Sequence, residues 1–415
     1  MNRSRPQSIR RRRGRTAVAA TALLVGSLTA CTVDSAASDD GVVDVGILSE
    51  YTGPLSLYGP AWESGFRAGL EELTGGTYEV DGTKIDIEVK DSAGDPATGQ
   101  TAVRELLGNG TDIIVGTASS SVAVSVAQTA VENDVVFIAG AASTPALNAM
   151  SPGVFRTSVD VRTVNNAVLE MIKQNGGKRV AYVGQDYDYG QTQADAMASQ
   201  AGEYGLTVEK FLFPTNTHDF TAGVAKVLAS GVDTIYVGWT GEGLAQLFQA
   251  LVAQNAFADD SPVTVTSLAP LPQEYATVAN AVGDKALANF ALVSVYAEDT
   301  TGTPAEKVVA EYVATEAEDT EIGAQQAYGY LGALALVRAI QEAGPGLAPA
   351  DVHKALAGAK FDGVQGPVAI RAEDHLVESP MFEYRLVNKD GALRLDVVRE
   401  IAFEQIAPPV DKALS

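Results

Sequence analysis

From Val42 onward, short runs of β-branched and apolar residues alternate with longer stretches in which apolar positions recur every three to four residues. That rhythm is the signature of parallel strands covered by helices. Strands are predicted at 43–49, 84–90, 112–115 and 135–138, with helices at 61–73, 96–108 and 120–133 between them. A second series follows a short run at 154–157, with strands at 179–183, 208–213, 234–237 and 263–266. Its helices are predicted at 161–173, 191–204, 220–229 and 244–252. The chain then crosses back at 291–296, because a nearly all-apolar helix at 325–342 and a short one at 350–357 follow. A hairpin at 381–387 and 393–398, around Asn388-Lys389-Asp390-Gly391, closes the pattern. The expected fold is therefore α/β, with two lobes that are each a parallel sheet flanked by helices.

The first 31 residues stand outside this rhythm. Arg3, Arg5, Arg10, Arg11, Arg12, Arg13 and Arg15 form a basic stretch without an acidic residue, and 16–28 is apolar but too short to span a bilayer. This reads as a signal peptide over 1–30, leaving open whether export is general or twin-arginine. The run ends in Leu28-Thr29-Ala30-Cys31, which resembles a lipobox, and Cys31 is the only cysteine of the 415 residues. Lipidation of Cys31 is expected, with the small, acidic segment 31–41 as a tether, and location is expected outside the cytoplasm at the cell membrane.

Charge then narrows the partners. Seven of the 29 Lys and Arg residues lie in that leader and none of the 52 Asp and Glu residues, so the remainder carries about −30. Nucleic acid and anionic membranes need clustered cations, so no nucleic-acid partner is expected. The length suits two ordinary domains, and a monomer is expected. His218, His353 and His375 lie in separate segments without a neighbour at metal-ligand spacing. There is no Gly-x-Ser-x-Gly elbow, phosphate loop or dinucleotide fingerprint. No enzyme activity, metal or cofactor is expected.

In open α/β sheets ligands collect beyond the carboxyl ends of the strands. After the first strand comes 51–59, a Gly/Pro loop with two tyrosines. Gly116-Thr117-Ala118-Ser119-Ser120-Ser121 follows the third strand, and Ala139-Gly140-Ala141-Ala142-Ser143-Thr144-Pro145 the fourth. Hydroxyls and free N–H groups at a helix N-terminus make a carboxylate site. Ser119 or Ser120 is equally placed to act as an N-cap alone.

These loops resemble those of the type I periplasmic binding proteins of the leucine/isoleucine/valine-binding family. The likeness runs from 45–54 with the following Tyr58-Gly59, through Asp91-Ser92-Ala93-Gly94-Asp95-Pro96, to Phe361-Asp362-Gly363-Val364-Gln365-Gly366. It implies three interlobe crossings, with 42–157 and 294–376 forming one lobe and 158–293 and 377–408 the other. It also implies a small-molecule solute buried by hinge closure and handed to ABC permease subunits in the membrane. By the resemblance, Ser120 binds a ligand carboxylate and Ser143 adds a hydroxyl. Ser119, Ala141 and Ala142 contribute backbone groups, and Tyr58, Tyr189 and Trp239 wall the ligand. Core packing is the competing role for Trp239.

Members that bind α-amino acids place an acid after the strand here read at 263–266, whereas this chain has Ser267-Leu268-Ala269-Pro270. A buried ammonium without an opposite charge is costly. Either Asp186, Asp188 or Glu242 replaces that acid, or the ligand is an amide, a short-chain acid or an aromatic acid. Family frequency places an amino acid ahead. A sensor protein reporting to a membrane kinase is the alternative role, and the lipid anchor favours transport over it.

Overall fold

The computed structural model describes residues 41–239, 243–258, 260–268, 272–283, 287, 290–316, 322–389, 392–410 and 412–414. The proposed leader, Cys31 and the tether up to residue 40 lie outside these residues, as does Glu242. Two sheets carry the fold. The first orders β2 (Glu79–Val80), β3 (Thr83–Asp91), β1 (Val42–Ser49), β4 (Ile113–Gly116), β5 (Val136–Ala139) and β6 (Val154–Arg156) side by side. All neighbours in it are parallel except the short edge strand β2. The second orders β16 (Ala392–Ile401), β15 (Met381–Lys389), β11 (Phe290–Ser294), β10 (Thr264–Leu268), β9 (Thr234–Val237), β7 (Arg179–Gln185) and β8 (Thr207–Phe213). It is parallel from β8 to β11, and the late hairpin β15–β16 adds antiparallel to β11.

Local chemistry sets where the helices begin. Asp95 caps α2 (Pro96–Gly108) by accepting from the Thr98 N–H at 2.8 Å, and Pro96 supplies a first residue that needs no N–H partner. Ser119 caps α3 (Ser120–Glu132), and Asp160 caps α4 (Val161–Gln174) by accepting from the Thr163 N–H at 2.9 Å. The strands are apolar on both faces because helices cover both: β4, β5 and β9 are buried at every position.

The apolar helix Ala324–Ala343 packs against α1 (Tyr58–Thr74) backbone to backbone. A Cβ on Gly65 would lie 2.0 Å from the Gln326 carbonyl oxygen, and one on Gly329 would lie 1.9 Å from that of Trp62. Only glycine permits this approach. It sets the start of the helix, the stretch that carries Gln325 and Tyr328, against α1 at Trp62 and Gly65.

The predicted elements are present with ends shifted by a few residues. Helices Pro272–Val282 and Pro304–Glu316 and the small sheet of β12 (Lys360–Gly363), β13 (Gly366–Ile370) and β14 (Val377–Glu378) are additional. The segment predicted as one helix at 191–204 is α5 (Asp188–Gln200) followed by a 3-10 turn, Ala201–Tyr204. Among the described residues no helix is long and apolar enough to cross a membrane.

Candidate ligand cleft

A cavity of about 630 Å³ lies where the carboxyl ends of strands from both sheets converge. Its first wall comes from the loops after β1, β4 and β5: Pro54, Leu55 and Tyr58, then Ser119, Ser120 and Ser121, then Ala141, Ser143, Thr144 and Pro145. Its second comes from Tyr187, Thr192 and Gln193 near α5 and Leu268 at the end of β10. Val161, Val293, Ser294, Val295 and Met381 line it where the chain passes between the sheets, and Ala324, Gln325 and Tyr328 line it from the apolar helix. None of these lining residues carries a formal charge.

The three serines have separate tasks. The Ser119 hydroxyl accepts from the Val122 N–H at 3.5 Å, faces Ser121 Oγ at 3.2 Å and donates to the Gly94 carbonyl at 3.4 Å. Its own N–H donates to Glu50, so Ser119 is a cap whose polar groups are engaged. Ser120 and Ser121 follow as the first helical residues, and their backbone N–H groups have no protein acceptor among the described residues. The Ser120 hydroxyl is likewise without a protein partner there. Two amides, a hydroxyl and the positive end of α3 therefore meet at the cleft wall.

The next loop is held from behind. Arg156 is fully buried, and its guanidinium donates to the carbonyls of Ala142 at 2.7 Å, Thr144 at 2.9 Å and Ser158 at 2.8 Å, and to Asn148 Oδ1 at 2.9 Å. This fixes the Ala142–Thr144 wall to the segment that leads from β6 into α4. Burial alone lifts the Asp160 carboxyl, but Arg156 and Arg162 outweigh it and hold it below the usual carboxylate range.

Several expected site residues line the cavity together: Tyr58, Ser119, Ser120, Ala141 and Ser143. Two others stand elsewhere. Ala142 is fully buried and its carbonyl is taken by Arg156 and by the Ser158 hydroxyl at 2.8 Å. Trp239 is 1% exposed and packs edge-on against Phe220 at 4.9 Å in the core of the second sheet. The core-packing role, weighed against the cleft for this residue, is the one the geometry shows.

Asp186 is exposed and accepts from Gln191 Nε2 at 2.7 Å, away from the cavity wall. Asp188 and Tyr189 open α5, but their side chains lie outside the described residues. Tyr187, an exposed residue whose phenol is pushed up by desolvation, lines the cavity instead. Gln193, Gln325 and Tyr328 were missed by sequence reasoning. Gln325 is 4% exposed and its Oε1 has no partner among the described residues, while Gln193 Oε1 accepts from the Tyr182 hydroxyl at 2.7 Å. The signal was available for Gln325 alone, as a polar residue opening an apolar helix.

The histidines also differ from expectation. His353 and His375 meet, with His353 Nδ1 at 2.9 Å from His375 Nε2. His375 Nδ1 faces the Val154 carbonyl at 2.8 Å and must donate there, so its Nε2 accepts from His353. The His375 ring stacks on Phe155 at 4.0 Å, outside the cleft.

Residues 42–392 match the family model described as periplasmic binding protein. The chain belongs to that family. Among curated relatives, this binding protein is 28% identical over 337 residues to a Leu/Ile/Val-binding protein of Rhizobium johnstonii, covering 79% of this chain and 86% of the relative. It is 24% identical to Leu/Ile/Val-binding protein homolog 6 of Brucella suis, over 95% of this chain and 99% of the relative. Among solved structures, it is similar to a solute-binding protein of an ABC transporter from Rhodopseudomonas palustris in complex with p-hydroxybenzoic acid. The TM-score is 0.76 at 21% identity, covering 87% of this chain and 97% of that one. The closed leucine-, isoleucine-, valine-, threonine- and alanine-binding protein of Brucella ovis matches with a TM-score of 0.77 at 20% identity, over 90% and 98% of the two chains. The last two likenesses speak to the two-lobed fold.

Proposed function

We propose that this binding protein is the solute receptor of an ABC importer, held outside the cytoplasmic membrane by lipid on Cys31. Its lobes, 42–157 with 294–376 and 158–293 with 377–408, close on a small carboxylate-bearing solute delivered to the permease. The observation that carries the ligand class is the cleft itself. Ser120 and Ser121 turn free N–H groups, a hydroxyl and a helix dipole toward a space with no charged side chain among its described lining residues. Such a wall receives a carboxylate through hydrogen bonds and offers an ammonium no counter-charge. Val161, Val164, Leu268, Val293 and Val295 supply apolar surface for the remainder of the solute. The reading is therefore a monocarboxylic acid without an amino group, aromatic or branched aliphatic in size.

A second reading is an α-amino acid, as the names of the Rhizobium and Brucella relatives indicate for those proteins. It requires Asp188 or Glu242 to reach the cleft. A thermal-shift screen separates the two, using leucine, isoleucine and valine against benzoate, 4-hydroxybenzoate and isovalerate, each beside its amide. A ligand at about 100 times its dissociation constant adds roughly 2.7 kcal/mol of stability. Shifts with the plain acids and none with the amino acids are expected. The reverse pattern moves the assignment to the amino acids, and a response to the amides alone removes the carboxylate from both readings.

A further inference from the structure

Glu50 follows β1 directly, is fully buried, and does not line the cleft. Among the described residues, every polar contact of its carboxylate is with a donor. The Thr117 hydroxyl and the Ser92 hydroxyl at 3.1 Å reach Oε1, together with the Ser119 N–H at 3.3 Å, and the Ala118 N–H reaches Oε2 at 2.9 Å. No basic side chain is among these partners. The backbone around it is shaped for the purpose: Thr117 sits at φ 60°, a left-handed conformation that a β-branched residue rarely adopts. Gly116 beside it has φ 105°, where an added Cβ would lie 2.4 Å from the Leu48 carbonyl oxygen. Successive N–H groups turned to one side form an anion-binding concavity. Here the anion is supplied by the chain itself.

We propose that Glu50 is an internal carboxylate that positions the serine loop, taking the Ala118 and Ser119 amides so that only those of Ser120 and Ser121 face the cleft. The cleft then offers a short donor set with a fixed negative group behind it. That arrangement suits a single carboxylate and rejects a dianion such as a phosphonate of the same size. The consequence for ligand choice rests on the serine loop being the ligand seat, whereas the positioning role is testable without any solute.

Glu50→Ala removes the Cγ and the carboxylate, which are the atoms that acetate returns. Against the unaltered protein, this variant is expected to melt roughly 2–5 °C lower. Sodium acetate restores most of that difference, while acetamide and sodium chloride at equal ionic strength do not. An acetate shift no larger in the variant than in the unaltered protein, or an equal response to acetamide, overturns the proposal. Should the variant not fold, hydrogen exchange resolved to single amides decides in the unaltered protein. Ala118 and Ser119 are expected to be protected without solute, and Ser120 and Ser121 to exchange. Equal exchange at all four positions overturns the positioning role. If the expected pattern holds but a solute found by the melting screen leaves Ser120 and Ser121 unprotected, the seat assignment fails and the role of Glu50 stands.

Discussion

Adjacent serines at the head of α3 do different work because one residue of advance along a helix start changes which groups are engaged. Ser119 accepts from the Val122 N–H and gives its own N–H to Glu50, whereas Ser120 keeps its hydroxyl and amide for the cleft. Exchange of each for alanine is therefore expected to separate stability from binding. Ser119→Ala removes a helix cap and lowers stability by about 0.5–2 kcal/mol in denaturant unfolding. Ser120→Ala leaves the unfolding midpoint in place and weakens a confirmed carboxylate ligand by about 1–3 kcal/mol in calorimetry. An unchanged affinity in the Ser120 variant takes that residue out of the site. His375 allows a different test. Burial lowers its imidazole from 6.5 to about 4, against the opposing pull of the Val154 carbonyl. Between those values the unfolded chain binds a proton that the native one does not, so this contribution is complete above pH 6.5 and drains away as pH falls toward 4. Between pH 7 and pH 5 it is worth about 2 kcal/mol. His375→Asn, which tolerates the φ of 60° found there, is expected to flatten that part of the stability profile. A slope as steep as that of the unaltered protein assigns the loss to other groups.

Elements were legible where the pattern was long or the cap explicit. The helix from Pro96 begins with Asp95 and Pro96, and α3 with Ser119, so their ends were readable to within a residue. The strands β4 and β9, buried at every position, stood out as short apolar runs. The small sheet of β12 to β14 was not legible, because Lys360–Gly363 alternates charge and apolar surface over four residues and gains its order only by pairing with Gly366–Ile370. The same divide runs through the cleft. Residues on loops after strands were found because a general rule says where to look, but Gln325 and Tyr328 come from a helix whose approach depends on glycines meeting backbone. Trp239 was the opposite case: an aromatic beside glycines at a strand end looked like a ligand wall, yet it sits 1% exposed in T-shaped contact with Phe220. Glu50 was passed over because an acid in an acidic chain carries no signal until its donors are known.

At the scale of the molecule, two sheets, each parallel at its centre, are joined by several passes of the chain, and the proposed receptor role needs those passes to act as a hinge. The Arg156 cluster ties one cleft wall to the first pass, so that wall travels with the segment leading into α4. Ligand binding is expected to draw the lobes together by hinge closure. Small-angle scattering checks this directly: a fall in the radius of gyration on adding a confirmed ligand is expected, and an unchanged curve at saturation removes closure from the mechanism.

The late hairpin has a consequence for the order in which the protein is made. The first sheet draws all its strands from the chain before Ser158, but the helix that covers α1 begins only at Ala324. In the second sheet β11 is left with an open edge until Met381–Lys389 arrives to pair with it. A chain emerging N-terminus first thus holds both cores incomplete until its last few dozen residues are through, with an unpaired strand edge exposed meanwhile. Neither lobe is a unit of synthesis, and the hazard of misassembly falls as the last residues of the chain emerge rather than as the first ones do.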